Sequence, residues 1–427
     1  KNQCAIGSVK SMIGHLLTAA GAAGMIKTLL ALQNKILPPS LNFNRAPQNS
    51  PLNDGPFRVQ TEPEAWHRKK DHQPRRAAVS AFGFGGINAH MLLEEYDGNS
   101  EGGRRKSEGK KLHIASKTPV AFDSDTCDRP SVLAKETTGM FPHSAFRIPN
   151  SEIAIIGMEA VFGSVDSLRE FQELIFNGKT NFKERPPLRW KGCDLAANAC
   201  LPKHFAGGGF CEQISVAAGE FHIPPKEIPD ILPQQLLMLK VAAGAMRDAG
   251  LSVRENRPGM GVIIGIDFDF ESTNFLLRWH LEQIAAAWME KFGQTSFEGT
   301  ESAWLESLRE ACSPPLTATR TLGALGGIVA SRIAREFRFG GPSFTVSCED
   351  AGGLKALQIG VRALQQNEAE AFLIGAVDLN GDIRNIILSS QVRSYSAKGE
   401  VRPFDRDADG TLPGEGARRH RCKRPDP

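Results

Sequence analysis

Residues 341–357, GPSFTVSCEDAGGLKAL, carry an apolar, β-rich run into a tight polar turn and then straight into a helix. Such a turn holds one side chain at a helix N-terminus, where unpaired N–H groups and the macrodipole favour developing negative charge. A nucleophile would sit there. The residues available are Cys348, Glu349 and Asp350, followed by the small Ala351, Gly352 and Gly353.

Around this stretch the chain alternates strand and helix. EIAIIGM, from Glu152, reads as the buried strand that opens an α/β sheet. A helix is predicted at 168–176, then an irregular Pro- and Gly-rich region to about 229. Pro233 stands at the first turn of a strong helix, 234–249, closed by Gly250. A second buried strand follows at 261–266, then helices at 302–311 and 322–337, the opening stretch with its helix at 353–366, and a strand at 371–379. The alternation predicts a layered α/β architecture.

Upstream, residues 16–33 form a small-residue helix ended by Pro38 and Pro39. Strands are predicted at 77–82 and 89–94, with the glycines of 83–86 between them. Residues 97–151 include the charged, glycine-rich EGGRRKSEGKK and lack apolar periodicity, so they read as a flexible linker.

With 427 residues, 41% apolar and 23% charged, the chain has the composition of a soluble globular protein of two or three domains. A net charge of +3 gives no reason to expect nucleic acid. The best apolar run, 16–32, is broken by glycines and Lys27 and is no membrane span. Eight cysteines without a CxxC pair, and ten histidines without HExxH, suggest neither a zinc site nor a disulfide framework. No metal site is expected, and a reducing, cytoplasmic location fits.

Near the N-terminus, GSVKSMIGH places Lys10 and His15 five residues apart, just before the helix. One reading is a histidine donating a hydrogen bond to a substrate oxygen, with a lysine fixing nearby charge. The other is a loop lysine and a helix-capping histidine.

GSVKSMIGHLLTAAGAAGMIKTLLALQNKILPPSLNF, followed by RRAAVSAFGFGGINAHMLLEE, resembles the C-terminal part of a β-ketoacyl synthase domain of polyketide and fatty acid synthases, over nearly all of residues 1–96. The resemblance implies that His15 is the second active-site histidine, stabilising the enolate formed when malonyl-carrier protein loses carbon dioxide. It implies that Lys10 is the ordering lysine, and that Phe84 and Gly85 belong to the gating and oxyanion loop. Met12 stands where many members have Asn, and Ile87 where they commonly have Thr.

The second domain, 152–417, resembles the same family from its other end. EIAIIGMEAVFGSVDSLREFQELIFNGKTNFKERPPLRW looks like a ketosynthase opening, and GGPSFTVSCEDAGGLKAL like the nucleophile stretch, where active members read TACSSS. Aligning its ends without gaps puts Asp350 in the nucleophile position and Cys348 two residues earlier, in the strand and some 6–7 Å away at normal strand rise. A carboxylate is a poor thioester nucleophile whose acyl product is a labile anhydride. The position is therefore read as vacated, with Cys348 the remaining, weaker nucleophile candidate.

A ketosynthase fold without that cysteine resembles the chain-length factor. The tandem order resembles the paired domains of polyunsaturated fatty acid synthases, and GIDFDFESTNFLLRW points the same way. The resemblance implies a thiolase-like layered αβαβα fold, here as two incomplete units joined by a linker. It implies an acyltransferase catalysing decarboxylative Claisen condensation in the intact protein, with this fragment inactive alone. No cofactor is bound directly, substrates arriving on the phosphopantetheine of an acyl carrier protein. The partners implied are that carrier, the missing halves of the ketosynthase units and a ketosynthase/chain-length-factor pseudo-dimer. The alternative is a non-catalytic thiolase-fold scaffold or dimerisation protein. Residues 418–427 read as an atypical basic tail, because ARRHRCKRPDP would bury several charges in a sheet. A fragment with a reading-frame shift near Ala417 is expected.

Overall fold

The computed structural model describes residues 4–83, 86–96, 112–114, 153–186, 189–190, 193, 207–252, 254–267, 269–291 and 301–423. Its central feature is an eight-stranded mixed sheet. In chain order the strands are β1 (Arg76–Phe82), β2 (Asn88–Glu94), β3 (Leu112–Ile114), β4 (Ile153–Phe162), β5 (Met260–Ile266), β6 (Ser343–Val346), β7 (Ala371–Asp378) and β8 (Gly416–Lys423). They lie in the order β6-β5-β7-β8-β4-β3-β2-β1. β5 runs parallel to both β6 and β7, while β8 is antiparallel to β7 and β4.

The strands MGVIIGI and AFLIGAVD are buried along their whole length, the pattern of strands covered on both faces. The hairpin β1–β2 instead alternates in burial, with Arg76 opposite Glu94 and Phe82 opposite Asn88. The N-terminal segment and residues 153–423 thus share one sheet.

The helices are α1 (Ala20–Asn34), α2 (Leu168–Phe176), α3 (Pro233–Asp248), α4 (Asn274–Lys291), α5 (Glu301–Cys312), α6 (Ala318–Ala324), α7 (Ile328–Glu336), α8 (Gly352–Gln365) and α9 (Ile383–Ser390). α1 and α8 lie between β5/β7 and the β1–β2 hairpin, where Leu29, Val79, Leu93, Leu357 and Ile374 join in one core. α3 and α7 cover the opposite face through Leu237, Val241, Ile333, Ile264 and Leu373. Helices thus cover both faces of the sheet, a layered α/β arrangement. Pro233 opens α3, and Gly250 follows it at φ +69°.

Two sequence expectations are corrected. First, residues 418–423 are not a tail: β8 is a central strand, hydrogen-bonded to β7 and β4, with a register shift between Arg421 and Cys422. Pairing on both sides uses backbone groups that every residue here carries, and Ala417 and Cys422 are fully buried. Second, the helix predicted at 322–337 is two, α6 and α7, because the chain is not helical at 325–327, where Gly326 and Gly327 weaken the helix. Beyond those expectations, the second half of the aromatic run GIDFDFESTNFLLRW opens a helix, α4, that its local pattern does not announce. The expected linker lies outside the described residues except for β3, which pairs with β2 and β4.

Candidate functional site

β5, β6 and β7 all end at one edge of the sheet, where open α/β sheets place their ligands. Beyond Val346 the chain turns through Ser347 and Cys348, then makes a 3₁₀ turn, Glu349–Ala351, that runs into α8. Glu349 is at φ +43°, a left-handed conformation costly for a non-glycine residue. The turn leaves Asp350 at the apex, with its side chain only 12% exposed.

The N-terminal segment reaches this turn because Gly352 and Gly353 leave room for it. A Cβ at Gly352 would lie 2.6 Å from Thr18 Cγ2, and one at Gly353 2.4 Å from Ala22 Cβ. The Thr18 N–H donates to Asp378 Oδ2 at 3.1 Å, anchoring the start of α1 to the end of β7. Gly14 is at φ +76° against the Pro413 carbonyl, a place no side chain could occupy. His15 follows it. The His15 N–H donates to Leu412 O at 2.8 Å, and the His15 carbonyl accepts from Gly414 N–H and Asn380 Nδ2, each at 3.1 Å.

The His15 ring meets Asp350 across more than three hundred positions of sequence. Nδ1 accepts from Leu17 N–H at 3.1 Å, which assigns the proton of the neutral ring to Nε2. Nε2 faces Asp350 Oδ2 at 3.6 Å. Arg393 Nη2 donates to the same oxygen at 2.8 Å. Arg393 Nη1 is 2.8 Å from Nε2 and 3.4 Å from Nδ1 of His15. A donor along the Nε2 lone pair would be much farther from Nδ1, so the guanidinium lies across the ring face rather than hydrogen-bonding in its plane.

The electrostatics follow from burial. The imidazole is held well below the usual histidine range by desolvation, reinforced by the positive charges of Lys10 and Arg393. Burial also pushes the Asp350 carboxyl up, against the downward pull of Arg393 and Lys10. Its Oδ1 is buried without a hydrogen-bond partner among the described residues. Burial lowers Lys10, while the Asp350 charge opposes that shift. A neutral imidazole with an Nε2–H donor and two cations therefore converge on one carboxylate. This donor set suits an oxygen that gains negative charge, but the apex group is a weak nucleophile toward a thioester.

His15, Lys10 and Asp350, expected in two different domains, lie in one cluster. Cys348 is placed differently from expectation: the strand ends at Val346, and Cys348 caps the 3₁₀ turn, its carbonyl accepting the Ala351 N–H at 3.1 Å. Phe84 and Gly85 lie outside the described residues. Met12 is fully buried and Ile87 is exposed. Arg393 is absent from the sequence-based candidates; it sits in a loop without local periodicity, and only its pairing in space reveals it.

A cavity of about 310 Å³ lies elsewhere, beside Lys183, Cys211, Glu212 and Lys240, and contains none of these residues. Among the described residues no group of three or more His, Cys, Asp or Glu could hold a metal ion. No described helix is long and apolar enough to cross a membrane.

Comparison with known proteins gives the family. The family described as "Beta-ketoacyl synthase, C-terminal domain" matches residues 1–44, and "Ketoacyl-synthetase C-terminal extension" matches 46–125. A polyunsaturated fatty acid synthase component of Thraustochytrium sp. is 29% identical over 415 residues, covering 96% of this chain and 18% of that protein. "Polyketide synthase PksN" of Bacillus subtilis is 50% identical over 97 residues, 22% of this chain and 2% of that protein. The solved structure of "PfaC Keto synthase-Chain length factor" superposes with a TM-score of 0.55 at 28% identity, over 98% of this chain and 40% of that one. The chain thus spans under half the length of these relatives. With "Beta-ketoacyl synthase, N-terminal domain" matching residues 150–418, well over half of its length, the chain belongs to the β-ketoacyl synthase family.

Proposed function

We propose that this chain is part of a multidomain polyketide- or fatty-acid-forming synthase that condenses acyl thioesters with malonyl-carrier protein, and that residues 152–417 are a non-condensing, chain-length-factor-like partner. On this reading His15 and Lys10 serve the enolate: loss of carbon dioxide leaves the electron pair of the broken C–C bond on the thioester, and the Nε2–H donates to its oxygen. The substrates arrive on a carrier's phosphopantetheine.

The observation that carries the reading is the Asp350 carboxylate, paired at 2.8 Å with Arg393 where the nucleophile would stand. A carboxylate in that place cannot hold an acyl chain as a stable ester. The test is to incubate the full chain with an acyl thioester and a malonyl thioester and follow intact mass and product. No acyl adduct and no condensation product are expected. A condensation that requires Cys348 would overturn the proposal.

A scaffold without acyl chemistry is favoured by one observation: Arg393 pairs with Asp350 and lies against the His15 ring, so the Asp350 charge is compensated from within the chain. Release of carbon dioxide from the malonyl thioester, lost in His15→Asn, would exclude that reading.

A further inference from the structure

His15 depends on loops that are themselves held from behind. Its carbonyl accepts from Asn380 and Gly414, which come from the end of β7 and the approach to β8. The next residues are Gly381 and Glu415, and they are joined: Glu415 Oε1 accepts the Gly381 N–H at 2.8 Å. Glu415 is fully buried, and its Oε2 accepts the Cys211 N–H at 2.9 Å. Arg189 is its cation, bonded to Oε1 from the irregular segment after α2. The neighbouring Trp190 donates from Nε1 to the Gly381 carbonyl at 3.0 Å, so Glu415 and Trp190 between them hold both polar groups of Gly381. A Cβ at Gly381 would lie 2.4 Å from Glu415 Oε1, so only glycine fits beneath the carboxylate. The backbone closes the loop: Glu415 N–H donates to Gly209 O at 2.8 Å, and Gly209 N–H to Pro413 O at 2.9 Å.

We infer that Glu415, with Arg189 and Trp190, is the positioning device for the His15 imidazole, acting through the two residues that hold the His15 carbonyl. Among the described residues Glu415 touches neither the ring nor Asp350 and has Arg189 as its one cation, a costly choice for packing alone. What it adds is a common anchor for two loops that would otherwise be fixed independently. The functional meaning rests on the reading of His15 as the site's donor, but the ring itself can be observed without any activity.

The experiment is long-range ¹H–¹⁵N NMR of the full chain labelled at histidine nitrogen, with His15 assigned by its loss in His15→Asn. In the unaltered chain His15 should show an unprotonated Nδ1, a protonated Nε2 and no titration near pH 6.5. Lys10, Arg393 and Asp350 are the charges facing it and stay unchanged throughout. In Glu415→Gln, where an amide N–H must oppose a backbone N–H, the His15 signals should shift to a mixture of tautomers. Its titration midpoint should move up toward the ordinary range near 6.5 as water enters. Arg189→Met should do the same in milder form, and Arg189→Lys should restore much of the original spectrum. If Glu415→Gln does not fold, the Arg189 pair decides. Ile333→Val, on the core face of α7, should lower stability without moving His15. Unchanged His15 signals in folded Glu415→Gln or Arg189→Met, or equal shifts in Ile333→Val, would overturn the inference.

Discussion

Asp350 and Arg393 define each other. Their side chains are 12% and 15% exposed, and breaking one half of such a buried pair costs more than the pair contributes. Lys27 is the contrasting case. It is buried in the small-residue helix, with Nζ 2.6 Å from Pro39 O and 3.3 Å from Ser8 O, carbonyls but, among the described residues, no carboxylate. Burial lowers its pKa from 10.5 to about 7. Between those values the unfolded chain binds a proton that the folded chain does not, so this residue makes stability rise with pH from about 7 to 10.5. The expected outcome is that urea denaturation of wild type minus Lys27→Met shows this slope, of the order of a few kcal/mol across the window. A difference that stays flat with pH would show that Lys27 is not held neutral.

At the scale of elements, the docking of α1 on α8 decides whether there is a site at all. The Ala22 Cβ and a Cβ at position 353 cannot both be accommodated at 2.4 Å. Gly353→Ala should therefore cost about 1–3 kcal/mol by thermal melting, although alanine is the better helix former. Stabilisation instead would mean that the two helices are not in contact. Local chemistry announces most of these elements: Pro233 and Gly250 bracket α3, and unbroken apolar runs mark β5 and β7. β8 is hidden because its pattern is charged while its strand character comes from neighbours on both sides. α4 is hidden because its apolar residues do not form one clean stripe. Leu277 and Trp279 are exposed, whereas Leu281 and Ala285 are buried.

For the molecule as a whole, the family motifs give the identity of Lys10, His15 and Asp350 but not their meeting. Two motifs from opposite ends of a family's order read as two half-sites in the sequence. In space, residues 10–15 and the turn at 349–351 build a single cluster, and Arg393 completes it from a third region. Nothing in a sequence register predicts that closure, because it depends on α1 crossing between the β1–β2 hairpin and α8. The most direct test puts a thiol at the apex. In Asp350→Cys, with the native cysteines mapped by mass spectrometry, burial disfavours the thiolate while Lys10, Arg393 and the helix N-terminus favour it. Alkylation by iodoacetamide at pH 7 should therefore depend on those cations and fall roughly tenfold in Lys10→Met, a change more than three hundred positions away. An introduced thiol that reacts like a free cysteine and ignores Lys10 would contradict the composite site.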